Sequence, residues 1–319
     1  MPESLLSRGH ALGEDSSFFG VRIQCPRCSS SISALSCIHC GLRLRVSGGI
    51  VHALPPERAA YFARFMEDYE RIRAEEGRGS ESEEYYLGLP YKDSSGRNSG
   101  QWHIRACSYD CLTQHVLKPP APGATVLDIG AGNCWMSFRL ALAGYHPVAV
   151  DLLTNGQDGL AAAQHYGSHL PEPLPRFQAE IAHLPFRSEQ FDAVIFNASF
   201  HYSEDYEASL REALRCVKRG GTVIISDTPW YSREESGRKM VSERHTAFLQ
   251  KYGTASNSIP SVEFLTDEHL QALEKRFSIR WTIYSPRYGL KWAMRPWIAR
   301  LYGRREPSRF RIYAATKDA

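Results

Sequence analysis

Strands that alternate with helices from Thr125 onward, a glycine turn after an apolar strand, and two close cysteine pairs near the start predict an α/β protein. The expected fold is a Rossmann-like, seven-stranded, mostly parallel sheet with helices on both faces, preceded by a small zinc ribbon and a helical cap.

The elements follow in order. Residues 1–20 are polar, contain Gly and Ser, and have no sustained periodicity, so they read as a flexible leader. Residues 21–56 carry short apolar runs around the cysteines and end at Pro55-Pro56, the pattern of a compact ribbon. Residues 57–120 form the helical linker or cap. A helix is predicted over 57–76, because Ala60, Phe62, Phe65, Met66 and Tyr69 recur at three- and four-residue steps, and another over 102–117. Between them, residues 77–100 read as loop interrupted by Glu84-Tyr85-Tyr86-Leu87. Residues 121–319 form the main domain, with insertions at 229–262 and 286–308. Its strands are expected at 125–128, 146–151, 176–180, 191–196, 221–227, 278–284 and 309–315. Helices run between them, through Ala143, through Tyr166 and from Tyr206 to Val217.

No run approaches the roughly twenty apolar residues of a bilayer span, and the first twenty residues lack a basic start with an apolar stretch. A cytoplasmic protein is expected. The net charge of +3 and pI near 8.4 are too mild for the footprint of a dedicated nucleic-acid binder.

Cys25/Cys28 and Cys37/Cys40 each put two thiolates on one tight turn, and two facing turns supply a tetrahedral four-sulfur shell for structural Zn2+. Cys107, Cys111, Cys134 and Cys216 read as free thiols.

The string VLDIGAGN at 126–133 is an apolar strand running into a glycine turn, where Gly130 and Gly132 let the backbone approach a ligand. Trp135 stands where a dinucleotide site wants its third glycine. Asp128 beside the turn attracts an amino group and repels a pyrophosphate. Asp151, with Leu152 after it, ends the second strand where an acidic residue meets ribose hydroxyls. Both cofactor classes use this last feature; Trp135 and Asp128 favour a sulfonium nucleoside over NAD or FAD.

VLDIGAGN, VAVD, AEIAHLPF and FDAVIFNASFHY, in this order, resemble the successive motifs of class I S-adenosylmethionine (SAM)-dependent methyltransferases over residues 124–227. The resemblance implies SAM as cofactor, Glu180 facing the adenine amino group, Ile181 beside the ring, and Asn197 with Ala198 lining the pocket near the methyl. Phe200, His201 and Tyr202 then border the acceptor. The ribbon, through QCPRC, CIHCG, SGGI and HALPP, resembles those of tRNA and protein methyltransferase activator subunits and of ribosomal-RNA guanine-N1 methyltransferases.

Direct displacement needs alignment more than a base, but a hydroxyl acceptor would need one, and His201 is then the candidate catalytic residue. Asn197-Ala198-Ser199-Phe200 lacks the prolines of the Asn-Pro-Pro-aromatic motif of adenine or glutamine amino methylation. Tyr85, Tyr86, Trp102 and Tyr109 offer aromatic cover for a small-molecule O or N acceptor, the favoured reading. RNA, and a non-catalytic SAM-holding or partner-recruiting module, stay open. The basic and aromatic segment 287–311 reads either as an insertion packed on the sheet or as a contact for phosphates, anionic lipid or an acidic substrate.

Overall fold

The structure is a computed structural model that describes residues 17–318. Most of the expected leader lies outside the described residues; its end, β1 (Ser17–Phe18), pairs antiparallel with β2 (Val21–Arg22). A second small hairpin, β3 (Ile32–Ser33) and β4 (Ser36–Cys37), carries the cysteine knuckles. A third joins β5 (Arg45–Ser47) to β6 (Ile50–His52) through Gly48 and Gly49, both at positive φ, as a tight two-residue hairpin turn requires.

The cap follows as α1 (Pro56–Glu75), α2 (Glu83–Gly88) and α3 (Ser99–Cys111), the last running into a wider turn through Val116. Pro56 opens α1, where its missing N–H goes unused. Within 77–100, expected as loop interrupted at Glu84-Tyr85-Tyr86-Leu87, α2 forms at that interruption because Tyr85 and Tyr86 bury their rings, Tyr86 stacking on His165.

The main domain is β7 (Thr125–Ile129), α4 (Trp135–Leu142), β8 (His146–Asp151), β9 (Arg176–Gln178), β10 (Phe191–Asn197), α5 (Tyr206–Cys216), β11 (Val217–Ser226), α6 (Glu234–Tyr252), α7 (Asp267–Phe277), β12 (Thr282–Tyr284), α8 (Leu290–Leu301) and β13 (Ile312–Thr316). Between β8 and β9 the helix is a 3-10 helix, Leu160–His169, in which Leu160, Ala163 and Tyr166 repeat every third residue toward the core. Asp205 and Thr266 cap α5 and α7 by accepting backbone N–H bonds.

The sheet has nine strands, where the sequence accounts for seven, in the order β12-β13-β11-β10-β7-β8-β9-β6-β5. The two additional strands are the ribbon's last hairpin: β6 pairs parallel with β9 in the register Val51↔Phe177. The five strands β7 to β11 run parallel, and β13 enters antiparallel to β11. Strand order reverses between β7 and β10, which places a crevice at their carboxyl ends.

Alternate strand residues serve two cores. Leu127, Ile129, Val148, Val150, Val194 and Phe196 pack with α5, α7 and the ribbon residues Ile23, Ile32, Leu44 and Val51. Val126, Ala149, Ala193 and Ile195 pack on the other face with α4, the cap and the 3-10 helix. The ribbon shares the main core; Gln24 N–H donates to Pro185 O at 2.9 Å and Ala53 N–H to Gln178 O at 2.9 Å. Tyr85, Tyr86, Trp102 and Tyr109, expected as pocket cover, are all buried in the second core instead. No described helix is long and apolar enough to cross a membrane.

Candidate functional site

The chain leaves β7 through the glycine turn. Gly130 and Ala131 N–H both donate to Val150 O, and Gly130 has φ +74° and Gly132 φ +53°. A Cβ on Gly130 would lie 2.2 Å from the Ser199 Cβ, so this glycine admits the loop after β10, whose Ser199 Oγ donates to Ile129 O. Gly130→Ala is expected to cost about 2–4 kcal/mol from overpacking and left-handed strain. Thermal melts check this, and a change within ordinary surface-mutation scatter would show that the Ser199 loop yields freely.

The two acids converge on the same turn. Asp151 Oδ2 accepts from Gly132 N–H and Oδ1 from Leu153 N–H, each at 2.8 Å, so the carboxylate braces both glycine turn and following loop. Asp128 faces α4: Ser137 Oγ donates to its Oδ2 at 2.7 Å, while Oδ1 is buried without a partner among the described residues. Burial pushes Asp128 up to about 7, with the Asp151 charge adding to it, and pushes Asp151 up to about 6.

Glu180 lies under the cap. Arg58 of α1 donates to both its oxygens, at 2.8 and 2.6 Å, and His183 Nδ1 lies 3.2 Å from Oε1. Burial opposes its charge, but His183 and Arg58 outweigh that and hold the carboxyl below its usual range. Each Glu180 oxygen thus already accepts one bond from the cap and keeps a second lone pair, so an adenine amino group would share this carboxylate with Arg58. Ile181 packs at the edge of the main core.

On the acceptor side, Asn197 ends β10 beside Ser226, and Ala198 is held at φ +53°. Tyr202 meets Phe65 and Tyr69 of α1 at ring-centroid distances of 5.9 and 5.8 Å, and Leu152 packs in the same cluster. Burial, then the charges of Arg244, Arg105 and Arg73, push His201 down to about 3, and its Nδ1 is buried without a partner among the described residues. An imidazole so depressed is neutral around pH 7 and a weak proton acceptor. Ser203 Oγ, Asp227 Oδ2 and Thr228 Oγ1, at the ends of the same loops, are also buried and unpartnered among the described residues. A neighbouring cleft of about 610 Å³ is lined by Arg73, Arg78 and Arg97 of the cap and by Leu153, Asn155 and Asp158 after β8.

The cysteine cluster forms as the spacing predicts. The four Sγ atoms of Cys25, Cys28, Cys37 and Cys40 lie within 4.8 Å of one another, with Cys25–Cys40 at 3.6 Å and Cys28–Cys37 at 3.5 Å. A tetrahedral shell with bonds of about 2.3 Å needs sulfurs about 3.8 Å apart, so the set fits zinc. His39 and Cys40 N–H both donate to Cys37 Sγ, further neutralising a thiolate.

Ser137, Ser199 and Arg58 escaped sequence reasoning. Ser137 stands nine residues after Asp128 on the next helix, a signal available once α4 is drawn; Arg58 lies 122 residues from Glu180 and left none.

Residues 127–225 match the methyltransferase-domain family. Among curated proteins, the demethylmenaquinone methyltransferase of Corynebacterium urealyticum is 36% identical over 107 residues, 34% of this chain and 43% of that protein. That of Corynebacterium efficiens is 33% identical over 106 residues, 33% of this chain and 42% of that protein. The chain thus spans less than half the length of these relatives. The solved Haemonchus contortus phosphoethanolamine N-methyltransferase 2, with phosphomonomethylethanolamine and S-adenosylhomocysteine, aligns at TM-score 0.49 and 16% identity, covering 75% of this chain and 61% of that one. The matched segment contains the glycine turn, Asp128, Asp151, Glu180 and Asn197, while the ribbon, α1 and α8 lie outside it.

Proposed function

We propose that the chain transfers the methyl group of SAM to an O or N atom of a small-molecule acceptor, with Zn2+ structural in the ribbon. The carrying observation is the braced turn at the crevice where strand order reverses, with Gly132 N–H locked on Asp151 and one Asp128 oxygen left unpartnered. Asp151, Leu152 and Asn197 would hold the nucleoside, and Asp128 the amino end through its unsatisfied oxygen; Glu180 would act through Arg58, fixing α1 over the site. Bound SAM supplies an electrophilic methyl on a sulfonium. The chain's own task is alignment and exclusion of water, for which Phe65, Tyr69 and Tyr202 form an apolar cover. A neutral His201 orients the acceptor by hydrogen bonding. The closed four-sulfur shell offers no open position for chemistry.

Calorimetric titration with SAM against pH tests the reading. A cation is attracted by carboxylates and not by carboxylic acids, so affinity should fall as pH drops below about 7 and again below about 6, with protons released on binding in that range. Absence of saturable binding at pH 8 and above would sink the proposal in favour of a non-catalytic module. Transfer to RNA that collapses with salt, with none to small molecules, would move the acceptor to RNA.

A further inference from the structure

The insertion between β12 and β13 contains a helix that does nothing for the core. No residue of α8 is buried, and Gly289 and Gly303, at φ +89° and +60°, set it off at both ends. Its outward side chains are Leu290 at 84% exposure, Met294 at 55%, Trp297 at 74%, Ile298 at 44% and Leu301 at 81%. With 3.6 residues per turn these five fall within an arc of roughly 100°. The opposite side is anchored, Trp292 stacking on Phe310 at 5.6 Å and meeting Tyr288 at 5.1 Å. Of the two expected readings of this segment, one tryptophan follows the packed one and the other does not.

Charge tells what the free face meets. From Lys275 to Arg305 the chain contains no Asp or Glu. Lys291 and Arg295 flank the apolar arc on one side and Arg300 on the other, and none has a carboxylate partner among the described residues. A groove of about 480 Å³ beside the helix is lined by Arg295, Arg300, Arg309 and Ser308, a set of donors suited to phosphate. A second copy of this chain would bring the same cations face to face. Of the five arc residues only Trp297 has a ring on which a nucleic-acid base could stack; the other four are aliphatic or thioether side chains suited to acyl chains.

The geometry points to α8 as a surface anchor that lies in the interface of an anionic lipid bilayer, its apolar arc among the acyl chains and its basic flanks on phosphate headgroups. The anchoring is independent of the methyl-transfer reading. Tyr288, at the root of the helix, is 2.8 Å from Ser108 Oγ, which donates to Asp227 at the end of β11, so a docked α8 brings the acceptor side of the sheet close to the lipid.

Flotation of the full chain with vesicles of phosphatidylcholine, with and without phosphatidylglycerol, tests this. The expected result is binding to the phosphatidylglycerol vesicles, weakened by salt. Trp297→Glu and Leu301→Glu should each reduce it about tenfold or more, and Lys291→Glu or Arg300→Glu roughly fivefold. All four side chains are exposed, so unchanged melting temperatures are expected alongside. The inference is overturned by no binding to either vesicle or by Trp297→Glu and Leu301→Glu that bind as the parent does. It is overturned equally by a concentration-dependent dimer that Leu301→Glu dissolves, or by RNA binding that only the charge reversals abolish.

Discussion

Loss of the zinc proposed for the ribbon, by chelation or by Cys37→Ser, is expected to unfold far more than the ribbon. Folding coupled to structural zinc yields roughly 10–16 kcal/mol in isolated peptides, and here Cys25 and Cys37 lie in the same core as Val51, Phe177 and Phe186. A fall of about 10 °C or more in a single melting transition is the expected calorimetric result. The damage should also reach the site: Arg27 in the first knuckle pairs bidentately with Glu57, and the next residue, Arg58, holds Glu180. Loss of SAM affinity on chelation, recovered on adding zinc, would follow. An unchanged melt after complete metal removal would show that the four thiols hold nothing of structural weight.

The second large effect is expected at Asp151. Alanine there removes the acceptor for Gly132 and Leu153 N–H, leaving two inward-facing donors unsatisfied at about 1–3 kcal/mol each, as well as any bond to a ribose. SAM affinity should fall about a hundredfold or more, with a lower melting temperature. Asp151→Asn separates the two roles: its one amide oxygen can keep one of the backbone bonds, so stability should be partly restored while affinity is not. Equal affinity for SAM in the parent and both variants would remove Asp151 from the cofactor site.

Legibility in the sequence followed the range of the interactions. The β7–glycine turn–α4 unit, the β8 and β10 ends and the cysteine knuckles were readable because residues a few positions apart carry them. Continuous apolar runs likewise marked the parallel strands, since both faces of the sheet are covered. What pairs across long separations was not readable: the addition of β6 to β9, the hold of Arg58 on Glu180, and the contact of Ser199 with Gly130. His201 shows a third kind of long-range effect. Its residue type and place suggest a base, whereas the burial that chiefly depresses it, and the charges of Arg244, Arg105 and Arg73 on three separate helices, come from distant parts of the chain. The aromatic residues of α2 and α3 form one group, as their spacing suggests, but face the core, because a helix turn that packs and one that covers a pocket have the same periodicity.

The hairpin that completes the sheet is covalently part of the chain that needs it. Without β5 and β6, the three-residue β9 would be the border of the sheet, its outer N–H and C=O groups open to any extended segment. Because the covering strand is tethered, its pairing is an intramolecular equilibrium governed by an effective concentration set by the linker, and dilution does not strip it away. The protein therefore has no need to find, or to be synthesised in step with, a separate subunit to close that border.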